Sequence, residues 1–256
     1  MRLPTSVAPV SVEHERAFED EICNHLAAHG WLYSPSGDGY DKTRALFPAD
    51  VFAWLQETQP DELAKVVKPS LSPTEQERAK EQLLDRLVKT LDLPLESGGG
   101  TLAVLRKGFK KTPARFSMCE FKPATTLNAA AMERYAAVRV RVMRQVYYSG
   151  EHKGSIDLVL FVNGLPVATL ELKTDNTQSI EDALAQYRTD RDPKGEPLLG
   201  FANRCLVHFA VSNDEVAMTT RLAGKATHFL PFNMGNDGAA GNPVNPHGAA
   251  TSYLWE

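Results

Sequence analysis

Cysteine is scarce in this chain: Cys23, Cys119 and Cys205 are the whole complement, and they lie far apart. Three scattered thiols build neither a disulfide framework nor a Cys-x-x-Cys zinc site, so they are expected as free, buried side chains. Long apolar runs are missing too. No stretch reaches the ~18 consecutive apolar residues of a membrane-spanning helix, and the opening Met-Arg-Leu-Pro-Thr-Ser lacks the apolar core of a signal peptide. The expected location is cytoplasmic, with no membrane partner. An excess of positive charge is absent as well, since 28 basic residues face 32 acidic ones for a formal charge of −4. Any nucleic-acid contact therefore has to be local. Residues 106–115 (Arg106, Lys107, Lys110, Lys111, Arg115, with Phe109) and 134–144 (Arg134, Arg139, Arg141, Arg144) qualify. Each also reads simply as a solvated charged face. A phosphate-binding P-loop is lacking: the nearest approach, Gly224-Lys225-Ala226-Thr227, has Thr219 where the leading glycine should stand. ATP binding of that type is excluded. No internal repeat or low-complexity tract occurs.

What is present begins with bulk. At 256 residues and 43% apolar content the chain can bury the core of one elaborated domain or of two small ones. The most informative stretch is 155–173, two apolar runs joined by Asn163-Gly164, which reads as a β-hairpin. Both faces look buried, yet Asp157 interrupts the first run, and Glu171 and Lys173 stand two apart at the end of the second. Residues two apart on a strand share a face. Charge inside a sheet costs several kcal/mol unless it is paired or holds a metal. Two carboxylates beside a lysine form a hard oxygen site suited to Mg²⁺, with an ammonium to meet charge developing on a phosphate. An Asp/Glu/Lys salt bridge at a strand end is the plainer alternative.

Register decides whether these groups meet. A two-residue Asn163-Gly164 turn in an unbroken ladder puts Asp157 opposite Leu170 and Glu171 on the other face. An odd loop, or a bulge where Pro166 cannot donate to the ladder, moves Asp157 opposite Glu171. An irregular turn is therefore expected.

Around the hairpin, Ser11 is expected to cap a helix that Gly30 ends. On it Glu19, Ile22, Cys23 and Leu26 fall at i, i+3, i+4 and i+7, placing a third carboxylate on the apolar stripe. Glu15 shares that face one turn earlier. His25 and His29 at i, i+4 lack the third ligand of a zinc site. Residues 48–57, 60–67 and 73–91 are helical candidates, the last strongly amphipathic, and Ser97-Gly98-Gly99-Gly100 reads as a flexible break. Region 34–128 is read as a mostly helical insertion. Residues 128–137 are helical and 138–148 alternate as a strand. Ser179 caps a helix through 190, with Gln186 and Tyr187 in its second half, and strands follow at 205–211 and 216–221 before a looped tail over 233–246.

Helix, three strands, helix and strand, with Glu on the first helix, Asp on the second strand and Glu-x-Lys on the third, resembles the PD-(D/E)xK nuclease superfamily. More narrowly, the chain resembles the N-terminal nuclease domain of the type I restriction enzyme R subunit. The matching stretches are Phe18-Glu19-Asp20-Glu21-Ile22 with His29-Gly30-Trp31, residues 144–149, residues 155–166, Glu171-Leu172-Lys173, residues 186–191 and Phe229-Leu230-Pro231-Phe232-Asn233. The implied fold is an α/β restriction-endonuclease-like core, a mixed central sheet flanked by helices, built from about 11–33 and 129–232 within one endonuclease domain over 1–256. The resemblance implies that Asp157 and Glu171 hold Mg²⁺, with Glu19 completing the acid cluster, and that Lys173 orients or activates the attacking water. Gln186 stands where the family carries the Gln of a Gln-x-x-x-Tyr motif, but Asp190 replaces the Tyr, leaving Tyr187 as a substitute. Tyr187, Arg188, Arg191 and Arg144 are the expected DNA contacts. Duplex DNA and the methyltransferase (M) and specificity (S) subunits are the implied partners, and ATP is used only by motor domains absent from this chain. Two rivals stay open: a DNA-binding or assembly module without catalysis, and a stand-alone repair or junction nuclease of the same superfamily.

Overall fold

The computed structural model describes residues 10–174 and 179–256, with the side chains of the first helix described from residue 14 onward. Seven α-helices and nine strands are present among them: α1 (Val10–Ala28), β1 (Leu32–Ser34), α2 (Pro48–Thr58), α3 (Pro60–Val66), α4 (Pro73–Leu91), α5 (Thr101–Lys107), β2 (Phe109–Lys111), β3 (Ala114–Phe116), α6 (Ala129–Ala136), β4 (Val140–Tyr147), β5 (Ser155–Val162), β6 (Leu165–Leu172), α7 (Ile180–Thr189), β7 (Val207–Val211), β8 (Val216–Thr219) and β9 (Leu230–Pro231). Local chemistry explains the helix ends. Ser72 and Glu75 form a reciprocal capping box on α4, as do Ser179 and Asp182 on α7, while the Asn128 side chain accepts from the Ala131 N–H at 3.1 Å to start α6. Gly30, at φ +91°, closes α1. Ser11 lies within α1, and its expected capping side chain lies outside the described residues.

Seven strands make one mixed sheet in the order β1-β4-β5-β6-β7-β8-β9. The pairs β1/β4 and β6/β7 are parallel, and the other neighbours are antiparallel. This is a mixed α/β fold consistent with a restriction-endonuclease-like core. On one face α1 lays Phe18, Ile22, Cys23 and Leu26 against Leu158, Leu170 and Leu172. On the other, Ala183, Leu184 and Tyr187 of α7 pack over Val159 and Phe161. Edge strands β1 and β9 were not visible in the sequence, because two or three residues are too few to show alternation.

A second cluster lies across the hairpin turn, where Leu83, Leu84, Leu87 and Leu91 of α4 meet Trp54, Phe109, Phe116 and Leu165. Each buried leucine contributes about 1.5–3 kcal/mol through apolar burial. Region 34–128 is therefore mostly helical but also carries the β2/β3 hairpin. The glycine run behaves differently from the expected flexible break. Gly99 and Gly100 are buried, and a Cβ on Gly99 would meet the Leu93 carbonyl oxygen at 1.8 Å, so the glycines let two backbones touch. The tail returns to the core, with Trp255 edge-on to Phe18 at 5.6 Å. Cys23 and Cys205 are buried free thiols, and Cys119 is half-buried. Among the described residues no helix is long and apolar enough to cross a membrane.

Candidate active site

Hairpin register brings the site together. Asn163 and Gly164 both take positive φ, +48° and +82°, the two-residue turn that matches strand twist. The Asn163 side chain accepts from the Arg139 N–H at 2.7 Å and donates to the Met118 carbonyl at 2.9 Å, pinning the turn into the insertion. Val162 pairs with Leu165 and Phe161 with Pro166, but Leu160 then pairs with Ala168, so Val167 is the extra residue of a bulge. The turn itself is regular; the slip occurs beside Pro166, which has no N–H to give the ladder. Beyond the bulge Leu158 pairs with Leu170, which carries Asp157 opposite Glu171 on one face.

Asp157, Glu171 and Lys173 are all buried, Glu171 completely. The Leu172 N–H donates to Asp157 Oδ2 at 2.8 Å. Arg191 Nε donates to Glu171 Oε1 at 2.6 Å, and its Nη2 donates to the Ser155 carbonyl at 2.8 Å. Glu171 Oε2 is buried without a hydrogen-bond partner. Burial, then the charge of Asp157, push the Glu171 carboxyl well above its ordinary range, against the pull of Arg191. A buried carboxyl oxygen with no donor, facing a second carboxylate, suits a cation, whose charge would favour the ionised form. Lys173 donates to Glu15 Oε1. Burial works against its charged form, but the Glu15 hydrogen bond and the carboxylates of Asp157, Glu15 and Glu171 outweigh it, so the ammonium is held above its usual pKa.

Glu19 is buried as its register implies, but it does not converge with the other two acids. Arg144 Nε donates to its Oε2, Arg144 Nη1 donates to Asp20 at 2.6 Å, and Gln145 stands between Glu19 and Asp157. Burial, then the Asp157 charge, raise the Glu19 carboxyl. Among the described residues no three His, Cys, Asp or Glu side chains are grouped to hold a metal. Two carboxylates still fit Mg²⁺, which keeps several waters and takes substrate phosphate oxygens as further ligands.

Gln145 is the residue that sequence reasoning passed over. Its Nε2 donates to Glu19 Oε1 at 2.7 Å and to Asp157 Oδ1 at 3.3 Å, while its Oε1 accepts from Ser155 Oγ at 2.9 Å. The backbone there sits at φ +47°, a left-handed conformation costing about 1–3 kcal/mol in a non-glycine residue. That twist turns the amide toward the acids, and only its place opposite Asp157 in the ladder hinted at it.

The expected DNA contacts turn inward. Tyr187 is fully buried, its hydroxyl sharing a 2.8 Å hydrogen bond with Thr169 Oγ1 and donating to the Phe209 carbonyl at 3.2 Å. It completes the Ala183, Leu184 and Tyr187 stripe of α7 and cannot reach DNA. Arg191 and Arg144 are occupied by Glu171 and by Glu19 and Asp20, because an arginine beside a buried carboxylate neutralises it more effectively than water does. Arg188 lies over the Phe229 ring at 5.6 Å, and its Nε donates to the Thr227 carbonyl at 3.3 Å. Gln186 is half-buried on α7, and its side chain makes no hydrogen bond among the described residues. Asp190, at the position of the family Tyr, is the exposed C-cap of α7. His25 and His29 stack at 4.1 Å, with the His29 ring bonded to the His25 carbonyl.

Behind the acids, His208 Nδ1 shares a 2.7 Å hydrogen bond with the same Thr169 hydroxyl, and its buried Nε2 has no partner. Burial lowers its pKa from 6.5 to about 4. The folded chain thus keeps His208 neutral while the unfolded chain protonates it below about pH 6.5. Its contribution is complete above that pH and is lost as pH falls toward 4, up to about 3 kcal/mol in all. Denaturant unfolding from pH 7 to pH 4 is expected to show this acid loss, and His208→Gln is expected to flatten it.

A family model described as the Type I restriction enzyme R protein N terminus matches residues 13–227, a span that includes Glu19, Asp157, Glu171 and Lys173. A comparison with curated proteins found no match. With well over half of its length matched and a mixed sheet bearing the two acids on one strand pair with the lysine just past its end, the chain belongs to the type I restriction enzyme R protein N-terminal family.

Proposed function

We propose that this chain is a Mg²⁺-dependent DNA endonuclease domain that hydrolyses duplex phosphodiesters without reading base sequence at the cut. The observation that carries the reading is the bulged register that sets Asp157 opposite Glu171, with Glu171 Oε2 buried and unpartnered and Lys173 two residues on. Asp157 and Glu171 would hold the cation. When bound, Mg²⁺ supplies Lewis-acid charge to the phosphate oxygens. Arg191 pulls the Glu171 pKa down against the larger effect of burial and fixes Oε1, leaving Oε2 without a donor. Lys173 stays an ammonium at neutral pH, so it orients the attacking water and meets the charge developing on phosphorus rather than taking a proton. Gln145 and Glu19 hold Asp157 in place from the α1 side. In the full enzyme, cleavage depends on ATP-driven translocation by motor domains, and on M and S subunits that supply assembly and site recognition.

Calorimetry with Mg²⁺, first alone and then with duplex DNA present, tests the site. Binding is expected for the unmodified chain and lost on Asp157→Ala. Absence of binding by the unmodified chain in both conditions favours an assembly module without catalysis.

A further inference from the structure

The chain carries more acid than base, yet one surface of the insertion is predominantly cationic. Arg86 and Lys89 of α4, Lys107 of α5, Lys110 and Lys111 of β2 and Arg115 of β3 line two adjoining hollows of about 590 and 220 Å³ that share Arg86. The Arg86 Nε donates to the Lys110 carbonyl at 2.8 Å, which clamps the helix against the hairpin. The cations that lie inside the fold are paired: Arg44, Arg141, Arg144, Lys173, Arg191 and Arg204 each meet a carboxylate. Among the described residues none of the six on the patch has an ion-pair partner. The nearby acids are used by others: Asp85 of α4 lines the smaller hollow but pairs with Arg44 at 2.8 Å, and Asp92, just past α4, pairs with Arg204 at 3.0 Å.

The hairpin sharpens the point. Lys110 and Arg115 are directly opposed across β2 and β3. Like charges in opposed cross-strand positions destabilise a hairpin. Folding gains nothing from this arrangement, whereas an anionic partner does.

We propose that this face is a second DNA-backbone surface, which holds the duplex by its phosphates away from the acids. The inference rests on the nuclease reading above and extends it. The patch belongs to the cluster packed at the Asn163-Gly164 end of the hairpin, and about 20 Å of strand separates that turn from Asp157. A duplex is the occupant that supplies a regular row of negative charge over such a span. Contacts of this kind position without specifying, which matches a nuclease that reads no sequence at the cut.

Duplex binding without divalent metal, measured across a salt series, tests the proposal with two variants of this chain. In the first, Lys107, Lys110, Lys111 and Arg115 are changed to Gln; in the second, the exposed Lys42, Lys122, Lys194 and Lys225 are changed to Gln so that net charge is matched. The patch variant is expected to lose at least tenfold in affinity, with the slope of log K against log salt shallower by about 0.9 for each lost contact. Its melting temperature is expected to be unchanged or higher, since opposed like charges are gone. Equal affinity and slope for the two variants overturn the proposal and leave the nuclease reading standing. No salt-dependent binding by the unmodified chain overturns the proposal, and if Mg²⁺ binding is absent too, the nuclease reading falls with it.

Discussion

Replacing Lys173 by alanine is expected to lower hydrolysis of duplex DNA by about 10²–10⁴-fold in the assembled enzyme, the range lost when a positioned acid-base or charge-stabilising group is removed. The loss is expected in the rate and not in the fold. Lys173 donates to Glu15, whose side chain is only partly buried, so its removal leaves no deeply buried hydrogen-bond partner unsatisfied, and Asp157 and Glu171 lose only a through-space attraction. Mg²⁺ binding through Asp157 and Glu171 should persist in the variant, and duplex affinity should stay within about twofold if the phosphate contacts on the insertion carry it. Plasmid nicking by the reconstituted enzyme, read beside circular dichroism and duplex binding, checks the separation. A chain serving only assembly gives no cleavage difference between the two proteins.

Arg191→Leu is expected to cost about 3–5 kcal/mol of stability at neutral pH, because it removes the hydrogen-bonded countercharge of a fully buried carboxyl. Glu171 then has Oε1 without a donor, beside an Oε2 that never had one. The pH dependence follows from the direction of its shift. A carboxyl whose folded pKa is raised by burial contributes stability that is full below its unfolded value near 4.5 and lost as pH rises through the folded value. The variant should therefore lose stability between pH 5 and pH 8 more steeply than the unmodified chain. Glu171→Gln added to Arg191→Leu should recover most of the loss, since no buried charge remains. Urea unfolding of the three proteins at both pH values checks this, and equal stability at pH 8 would show that the pair contributes nothing.

Much of the architecture follows from short-range rules that a sequence displays. Helix α4 begins at Pro73 and ends at Leu91 as its capping box and leucine spacing dictate, and α7 begins after Ser179 for the same reason. Glu19 faces inward because its period with Ile22, Cys23 and Leu26 leaves no other face for it. The slip that opposes Asp157 and Glu171 was also legible, since Pro166 cannot donate and an unbroken ladder would have split two acids across a buried sheet.

What tertiary structure alone decided is where the long side chains end. Arg144, Arg191 and Tyr187 read as DNA contacts along the chain, yet all three terminate inside, on Glu19, Glu171 and Thr169. Their partners come from other elements, and no local period encodes which buried acid an arginine's reach will meet. The left-handed twist at Gln145 and the close backbone contact at Gly99 arise likewise from neighbours remote in sequence. The unpaired cations on the insertion have the same origin, because Asp85 and Asp92 were drawn off by Arg44 and Arg204 only once the chain had folded. Backbone periodicity and capping are local, so the sequence by itself determined the elements and the acid-bearing hairpin. Charge pairing acts through space, so only the packed molecule decided which charges are spent inside and which remain for a partner.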